Sequence, residues 1–477
     1  MPPSSAHPPR RRGLLLFTVC LGAFMATLDT GVVNLALPQM AREFHVDLSQ
    51  ISWVMVIYLL VNVSLLLTSG RLGDLLAPGR LYLLGLLIFT GASALCGLSP
   101  RLAWLVAARA LQGLGASLML GLAPKIIALT YGEGERGLPL GLFSTAFAAG
   151  VSVGAPLGGF ITYYLGWPYI FFINVPICAL ALLVGLRPLA RLPAQMAWNW
   201  RAFDLWGALV LALALSSLLL GLTLVRQTGW ADLQTQGLLA VGALSLLGLI
   251  FLERRQPSPL LHGELWRSWP FVVGSTAVVL CFAAVMGTFF LLPFFLEQVY
   301  GYLPDQTGLL LSALSLTNAA VAGVGGYLAD RWGNMLVLRS GCALLLAGIL
   351  SLLFLTVSDN TLSLAARFIL IGLGFGLFQA PNLSEILHGV KPSLVGLAAS
   401  TNAVLKNLGA LVGITLLVSV FAGMPGPLAS LNPAPHPVMS LFSRAFAVAV
   451  LLAALNLLTN LLPRQIGKFS RPDLQRR

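Results

Sequence analysis

Charge is what this sequence has least of. Only 9% of its 477 residues are Asp, Glu, Lys or Arg, and the acids number 16. Soluble domains carry about 25% charged residues. The chain therefore cannot clothe a globular surface in polar groups, which excludes a soluble enzyme, a nucleic-acid-binding domain and a disordered chain. Cysteine is scarce too. The five present (Cys20, Cys96, Cys178, Cys281, Cys342) all fall inside apolar runs, so packing is their expected role, with no disulfide framework and no zinc or other metal site. A Walker A lysine motif is missing, which argues against ATP as a partner. Neither HExxH nor a paired intramembrane His/Asp cluster occurs, which argues against a membrane protease or metal enzyme.

What the chain does have is apolar length. Hydrophobic residues make up 57% of it, and the mean hydropathy is +0.88. A helical span needs roughly 20 apolar residues, and fourteen such runs can be read, near 14–38, 51–70, 81–98, 103–124, 140–163, 168–187, 205–225, 236–253, 271–296, 307–329, 335–356, 363–386, 394–421 and 441–462. The first run, preceded by Arg10-Arg11-Arg12, imitates a signal peptide. It is too long for one and contains Asp29, so it is expected to remain as a span. A formal charge of +12 would suggest nucleic acid in a soluble protein, but here its distribution matters more. With the N-terminus inside, 20 of the 28 Lys and Arg fall in inside segments and five in outside ones. That bias places both termini in the cytoplasm of a multi-pass protein of the inner cell membrane, with no nucleic-acid partner.

The chain also repeats itself. Gly70-Arg71-Leu72-Gly73-Asp74 follows the second run, and Gly326-Tyr327-Leu328-Ala329-Asp330-Arg331-Trp332-Gly333 follows the tenth. Downstream, Ala107-Ala108-Arg109 precedes Gly113, Gly115 and Pro124, while Ala365-Ala366-Arg367 precedes Gly372, Gly374 and Pro381. Two matches at nearly one offset indicate a duplicated unit, a common plan for transporters. Matching loops eight runs apart leave two extra spans between six-span halves. The expected layout is a tail (1–13), a six-helix bundle (14–190), two inserted helices (191–262), a second six-helix bundle (263–462) and a basic tail (463–477).

These motifs carry a family resemblance. The loops at Gly70–Asp74 and Gly326–Gly333 resemble the glycine–acid–basic loop of the major facilitator superfamily. Leu28-Asp29-Thr30-Gly31-Val32-Val33-Asn34-Leu35-Ala36-Leu37-Pro38 is similar to the first-span signature of its fourteen-span drug:proton antiporter branch. Trp53, Tyr58, Ile170–Pro176 and Phe378–Asn382 fit the same branch. The stripe Gly150, Gly154, Pro156, Gly158 and Gly159 resembles the antiporter motif of the fifth span, with its proline displaced by one position. The resemblance implies an all-α fold of 6 + 2 + 6 helices that alternates between two open states. It further implies proton-coupled efflux of lipophilic drugs or similar small molecules, with no cofactor beyond the proton gradient. An exporter of an endogenous metabolite (a sugar, amino acid or lipid) and a non-transporting membrane sensor or scaffold are the alternatives.

Several residues stand out physically. Asp29 lies deep in a span, where an ionised carboxylate is costly, so it is expected to face a cavity or carry a proton, with a structural carboxylate hydrogen-bonded to a neighbouring span as the alternative. Arg109 is too deep to snorkel and is expected either to lower the proton affinity of a nearby acid in one conformation or to pin helices together. These two form the expected proton-coupling site. Asn34, Tyr58, Gln112, Gln379, Asn382 and Lys406 are expected to line the substrate cavity, with interhelical hydrogen bonding or core packing as the alternative. Gly70, Asp74, Gly326, Asp330, Arg331 and Gly333 belong to the conformational loops. Glu385 and Glu297 sit nearer helix ends. The expected partners are a small molecule, protons and the lipid bilayer.

Overall fold

A computed structural model describes residues 9–131, 137–192, short stretches between 207 and 221, 232–253, 263–390, 394–422 and 435–462. The described residues form no strand. Helices α1 (Pro9–Glu43), α2 (Leu48–Leu75), α3 (Pro78–Gly97), α4 (Leu102–Thr130), α5 (Gly137–Tyr164), α6 (Tyr169–Phe172) and α7 (Asn174–Ala190) build the first half. After α8 (Leu233–Glu253) and the short α9 (Gly263–Arg267), the second half comprises α10 (Trp269–Val299), α11 (Pro304–Trp332), α12 (Asn334–Ser351), α13 (Thr361–His388), α14 (Val395–Ala422) and α15 (Pro435–Leu461). Among the described residues, eleven helical segments are long and apolar enough to cross a membrane. Most of the seventh apolar run, 205–225, lies outside the described residues, as do both ends of the chain.

The helix ends follow from local chemistry. Asp47 caps α2 with its carboxylate on the Gln50 N–H, 2.8 Å away, while Gln50 reaches back to the Asp47 N–H. Asn360 caps α13 in the same way through the Ser363 N–H. Prolines at the first turns of α3, α10 and α11 fill positions where a missing N–H costs nothing. Gly333 closes α11 with φ +91°, a conformation that side chains disfavour. The loop glycine of the second repeat thus has a backbone reason for its identity.

Packing makes the duplication physical. In the first half α1 lies on α5, and α4 on both α2 and α3; in the second half α10 lies on α14, and α13 on both α11 and α12. Glycines fix the register of each seam. A Cβ on Gly113 would meet Tyr58 O and Val61, and one on Gly372 would meet Leu314 O and Thr317. Gly115 faces Gly85 and Phe89, as Gly374 faces Gly341 and Leu345. Gly150 and Gly154 rest on Phe24 O and Leu28 O, as Gly409 and Gly413 rest on Val279 O and Ala283 O.

This register revises one pairing suggested by the sequence. Arg109 stands four residues before Gly113, so its counterpart is Phe368, four before Gly372. Asp29 follows Leu28, so its counterpart is Ala284. Arg367 instead reaches the α12–α13 loop, where it pairs with Asp359 at 3.3 Å. The Asp359 carboxyl is held below its ordinary value by the Thr356 N–H first, then by Ser363 and Arg367. The identical Ala-Ala-Arg triplets are therefore offset by one residue in space.

The segments between the two halves touch each other. Gly221 abuts Leu239 and Gly242 abuts Leu218, so the two inserted segments pack on each other. Leu209, Leu213, Leu233, Leu244 and Leu247 are exposed, the surface expected of helices that face lipid.

Helix contact in a bilayer rests on close backbone approach rather than on hydrophobic burial. A Cβ on Gly158 would lie 2.7 Å from Val32 Cα, whereas one on Gly237 would meet nothing within 4 Å. Gly158→Val is expected to cost about 1–3 kcal/mol through overpacking and to lower the thermal unfolding temperature in detergent. Gly237→Ala should leave that temperature unchanged or slightly raised; equal effects would refute the α1–α5 seam.

Candidate functional site

Asp29, Arg109, Gln112, Ser93 and Asn174 converge where α1, α3, α4 and α7 meet, and all are buried. Arg109 donates from one terminal nitrogen to Asp29 Oδ2 at 2.5 Å and to Gln112 Oε1 at 2.6 Å, and from Nε to Val54 O at 3.0 Å. Asp29 Oδ1 accepts from Gln112 Nε2 at 2.9 Å and from Asn174 Nδ2 at 2.8 Å. Gln112 Nε2 also reaches Ser93 Oγ at 2.8 Å. The Tyr58 ring covers the guanidinium at 4.2 Å, its hydroxyl anchored on Ala26 O, and Phe171 lies 5.8 Å away.

Each element contributes for a reason legible in its sequence. Gln112 follows Arg109 by three positions on α4, so both side chains share one face. Gly113, next in sequence, lets α4 approach α2 closely enough for Arg109 to reach the Val54 carbonyl. The break between α6 and α7 at Ile173 brings Asn174 in at the start of a helix. Asp29 is thus enclosed by protein, at 1% exposure, and bonded to two neighbouring helices. Its charge is balanced by Arg109, and it accepts three hydrogen bonds in all, from Arg109, Gln112 and Asn174, as the structural carboxylate weighed as the alternative would.

The remaining candidates fall into two groups. Tyr58 and Gln112 belong to this cluster. Asn34, farther along α1, donates to Phe289 O of α10 at 2.8 Å and so ties the two halves. Gln379 donates to Asn318 Oδ1 at 3.1 Å and Asn382 to Gly274 O at 3.1 Å, both within the second half. Lys406, on α14, lies with its ammonium 5.4 Å from the centre of the Phe282 ring. Asn34, Gln379 and Asn382 thus make the interhelical hydrogen bonds weighed as their alternative role. Gly70 and Gly326 lie near the ends of α2 and α11, and Arg331 and Gly333 are exposed; the side chains of Asp74 and Asp330 lie outside the described residues. Phe171 and Phe378 are buried as core. Sequence reasoning did not single out Ser93 or Asn174 as site residues. The usable signal was a polar residue inside an otherwise apolar span.

A second constellation closes one end of the molecule. Where α1 ends and α2 begins, Arg42 pairs with Glu297 of α10 at 2.8 Å, and Glu43 accepts from Trp167 Nε1 at 2.7 Å. Deeper in, Ser152 Oγ donates to Ser315 O at 3.2 Å, joining α5 to α11. Closer to this end, Gly159 and Gly308 let the same two backbones touch. Pro156 cannot donate to the carbonyl one turn earlier, which loosens α5 beside this contact. Ser49, Ser52, Trp53 and Val56 of α2 face Thr415, Val418 and Ser419 of α14 across a small cleft. These bonds between halves lie in the middle of the bundle or toward this end. Among the described residues, no group of His, Cys, Asp and Glu could hold a metal.

The Major Facilitator Superfamily profile matches residues 19–414. Among curated proteins, the chain is 31% identical to the riboflavin transporter RibZ of Clostridioides difficile, over 87% of this chain and 89% of that one. It is 31% identical to the multidrug resistance protein Stp of Mycobacterium tuberculosis, over 87% of this chain and 76% of the other. It is 30% identical to the tetracenomycin C resistance and export protein of Streptomyces glaucescens, over 86% and 76%. A crystal structure of the peptide transporter POT in complex with sulfate superposes with a TM-score of 0.66 at 18% identity, covering 93% of this chain and 94% of that one; this likeness concerns the fold.

Removing one partner of a buried ion pair strands the other charge, at about 3–5 kcal/mol. Asp29→Asn and Arg109→Gln are each expected to destabilise by that order, while the double substitution should recover most of the loss. A double-mutant cycle of thermal or denaturant unfolding measures this; strictly additive effects would show that the two charges do not act as a pair.

Proposed function

The chain belongs to the major facilitator superfamily, a family of transporters rather than enzymes, and we propose that it exports lipophilic small molecules in exchange for protons by alternating access. The observation that carries this reading is the sealed Asp29–Arg109–Gln112 cluster. Protonating Asp29 removes the negative half of the pair and leaves Arg109 uncompensated in a dry interior. Proton binding and a rearrangement of α1 against α4 are thereby coupled.

Fourteen spans arranged 6 + 2 + 6 are supported by thirteen long helical segments in the described residues, counting α6 and α7 as one, and by the apolar run at 205–225. The distribution of Lys and Arg supports cytoplasmic termini in the inner cell membrane. On that assignment the Arg42–Glu297 end faces outward, and the conformation is closed to the outside. Proton entry from outside would neutralise Asp29 and permit return, with release to the cytoplasm accompanying substrate capture. An elementary charge crossing the membrane gains about 2.3 kcal/mol per 100 mV. A tenfold gradient costs about 1.4 kcal/mol, so the potential alone can sustain it. The energy source is then the proton gradient, with no cofactor and no ATP. Relatives named for multidrug resistance and for export favour lipophilic cargo. The relative named a riboflavin transporter favours a metabolite as the second reading.

In liposomes loaded with a pH-sensitive dye, a panel of lipophilic cations, neutral antibiotics and aromatic acids should contain compounds that trigger proton flux with the wild type. Asp29→Asn should abolish it, and the charge-neutral double variant with Arg109→Gln should remain folded yet inactive. Flux that survives Asp29→Asn would remove Asp29 from coupling and make Glu385 the next acid to test.

A further inference from the structure

The second half carries a charge that the proton-coupling cluster does not use. Lys406 lies in the middle of α14, and its side chain is half-buried. Among the described residues, no ion pair or hydrogen bond reaches its ammonium. Its recorded neighbours are the buried Cys281 thiol and the Phe282 ring, both of α10, and that ring packs edge-on against Phe375 of α13 at 5.1 Å. One turn before Lys406 on the same face stands Asn402, 4% exposed, with its amide oxygen unpartnered.

The duplication shows how unusual this is. Lys406 precedes Gly409 by three residues, as Phe147 precedes Gly150, so an apolar ring holds the matching place in the first half. The first half neutralises its buried cation with Asp29, and the matching positions in the second half are Ala284 and Phe368. Among the described residues, no acid pairs with the lysine. An aromatic face returns only about 0.5–2 kcal/mol to an ammonium, far less than the cost of holding an unpaired charge in a membrane interior. Such a position becomes favourable when a counter-charge arrives with a ligand. The Phe282 ring beside it, with Phe375 packed on that ring, suits an aromatic or strongly apolar body, and the Asn402 amide supplies a hydrogen-bonding group one turn away.

We propose that Lys406, Phe282, Phe375 and Asn402 form the subsite for the acidic group of the transported molecule, so that the cargo is an amphipathic aromatic acid or zwitterion rather than a simple lipophilic cation. This deepens the export reading and rests on it for the word cargo. The binding site itself requires no proton coupling.

Dansylglycine and dansylglycinamide differ only in carboxylate against amide, and dansyl fluorescence rises on entering an apolar site. Titrated at pH 7.5 into the purified full-length protein in detergent, the acid is expected to bind at least tenfold more tightly than the amide. Lys406→Met should reduce the acid to the level of the amide and leave amide binding within twofold, which also reports that the variant is folded. Lys406→Arg should keep most of the preference, and Asn402→Leu should weaken the acid selectively. Equal binding of the two probes by the wild type, binding of neither, or a preference that survives Lys406→Met would overturn the proposal. With no membrane and no proton gradient in the cuvette, this outcome is independent of the exchange assay. Acid binding without proton flux would sink the antiport reading alone.

Discussion

An ion pair enclosed by protein on every side constrains this molecule more than any other contact. Asp29 and Arg109 come from α1 and α4, the groups that bond them come from α2, α4 and α7, and Ser93 of α3 holds Gln112 in place. Five helices must therefore sit at one distance and one rotation for the charges to be tolerated at all. Glycines at the α2–α4, α3–α4 and α1–α5 seams make those distances possible, because a single added Cβ would meet backbone atoms. Bundle geometry and electrostatics are two statements of one requirement.

The halves share a scaffold but divide the polar chemistry. One wall holds a closed network in which donors and acceptors largely satisfy one another; the other holds a cation with an aromatic face and an idle amide. A duplicated fold allows this, since each half keeps its helix seams while the residues between them diverge. Apolar Ala284 and Phe368, where the first half has Asp29 and Arg109, record that divergence at single positions.

Much of this was legible in the sequence. Period and length of the apolar runs gave the helices to within a few residues at most ends, because membrane helices are set by a uniform solvent. Asp29 and Arg109 were visible because charge is rare there. They were expected in one proton-coupling site, but the direct bond between them was not legible, since 80 residues separate them and the α1–α4 contact brings them together. Asn174 and Ser93 look like ordinary small polar residues until a carboxylate and an amide need partners. The repeat was detected from Ala-Ala-Arg triplets, yet the true register follows from Gly113 and Gly372, where steric fit leaves one solution. Asn34, Gln379 and Asn382 read as cavity residues by type, and they spend their amides on backbone or side-chain bonds between helices in this conformation.

The contact between α5 and α11 at Gly159 and Gly308 has a mechanical consequence. Where two backbones meet without side chains, a Cβ at Gly308 would stand 2.7 Å from Ala155 O, so the surfaces are nearly smooth. Interlocked side chains would have to disengage and re-mesh, rotamer by rotamer, whenever one half tilted against the other. Smooth surfaces can roll instead, as in a bearing, and friction along that line stays low however often the halves tilt.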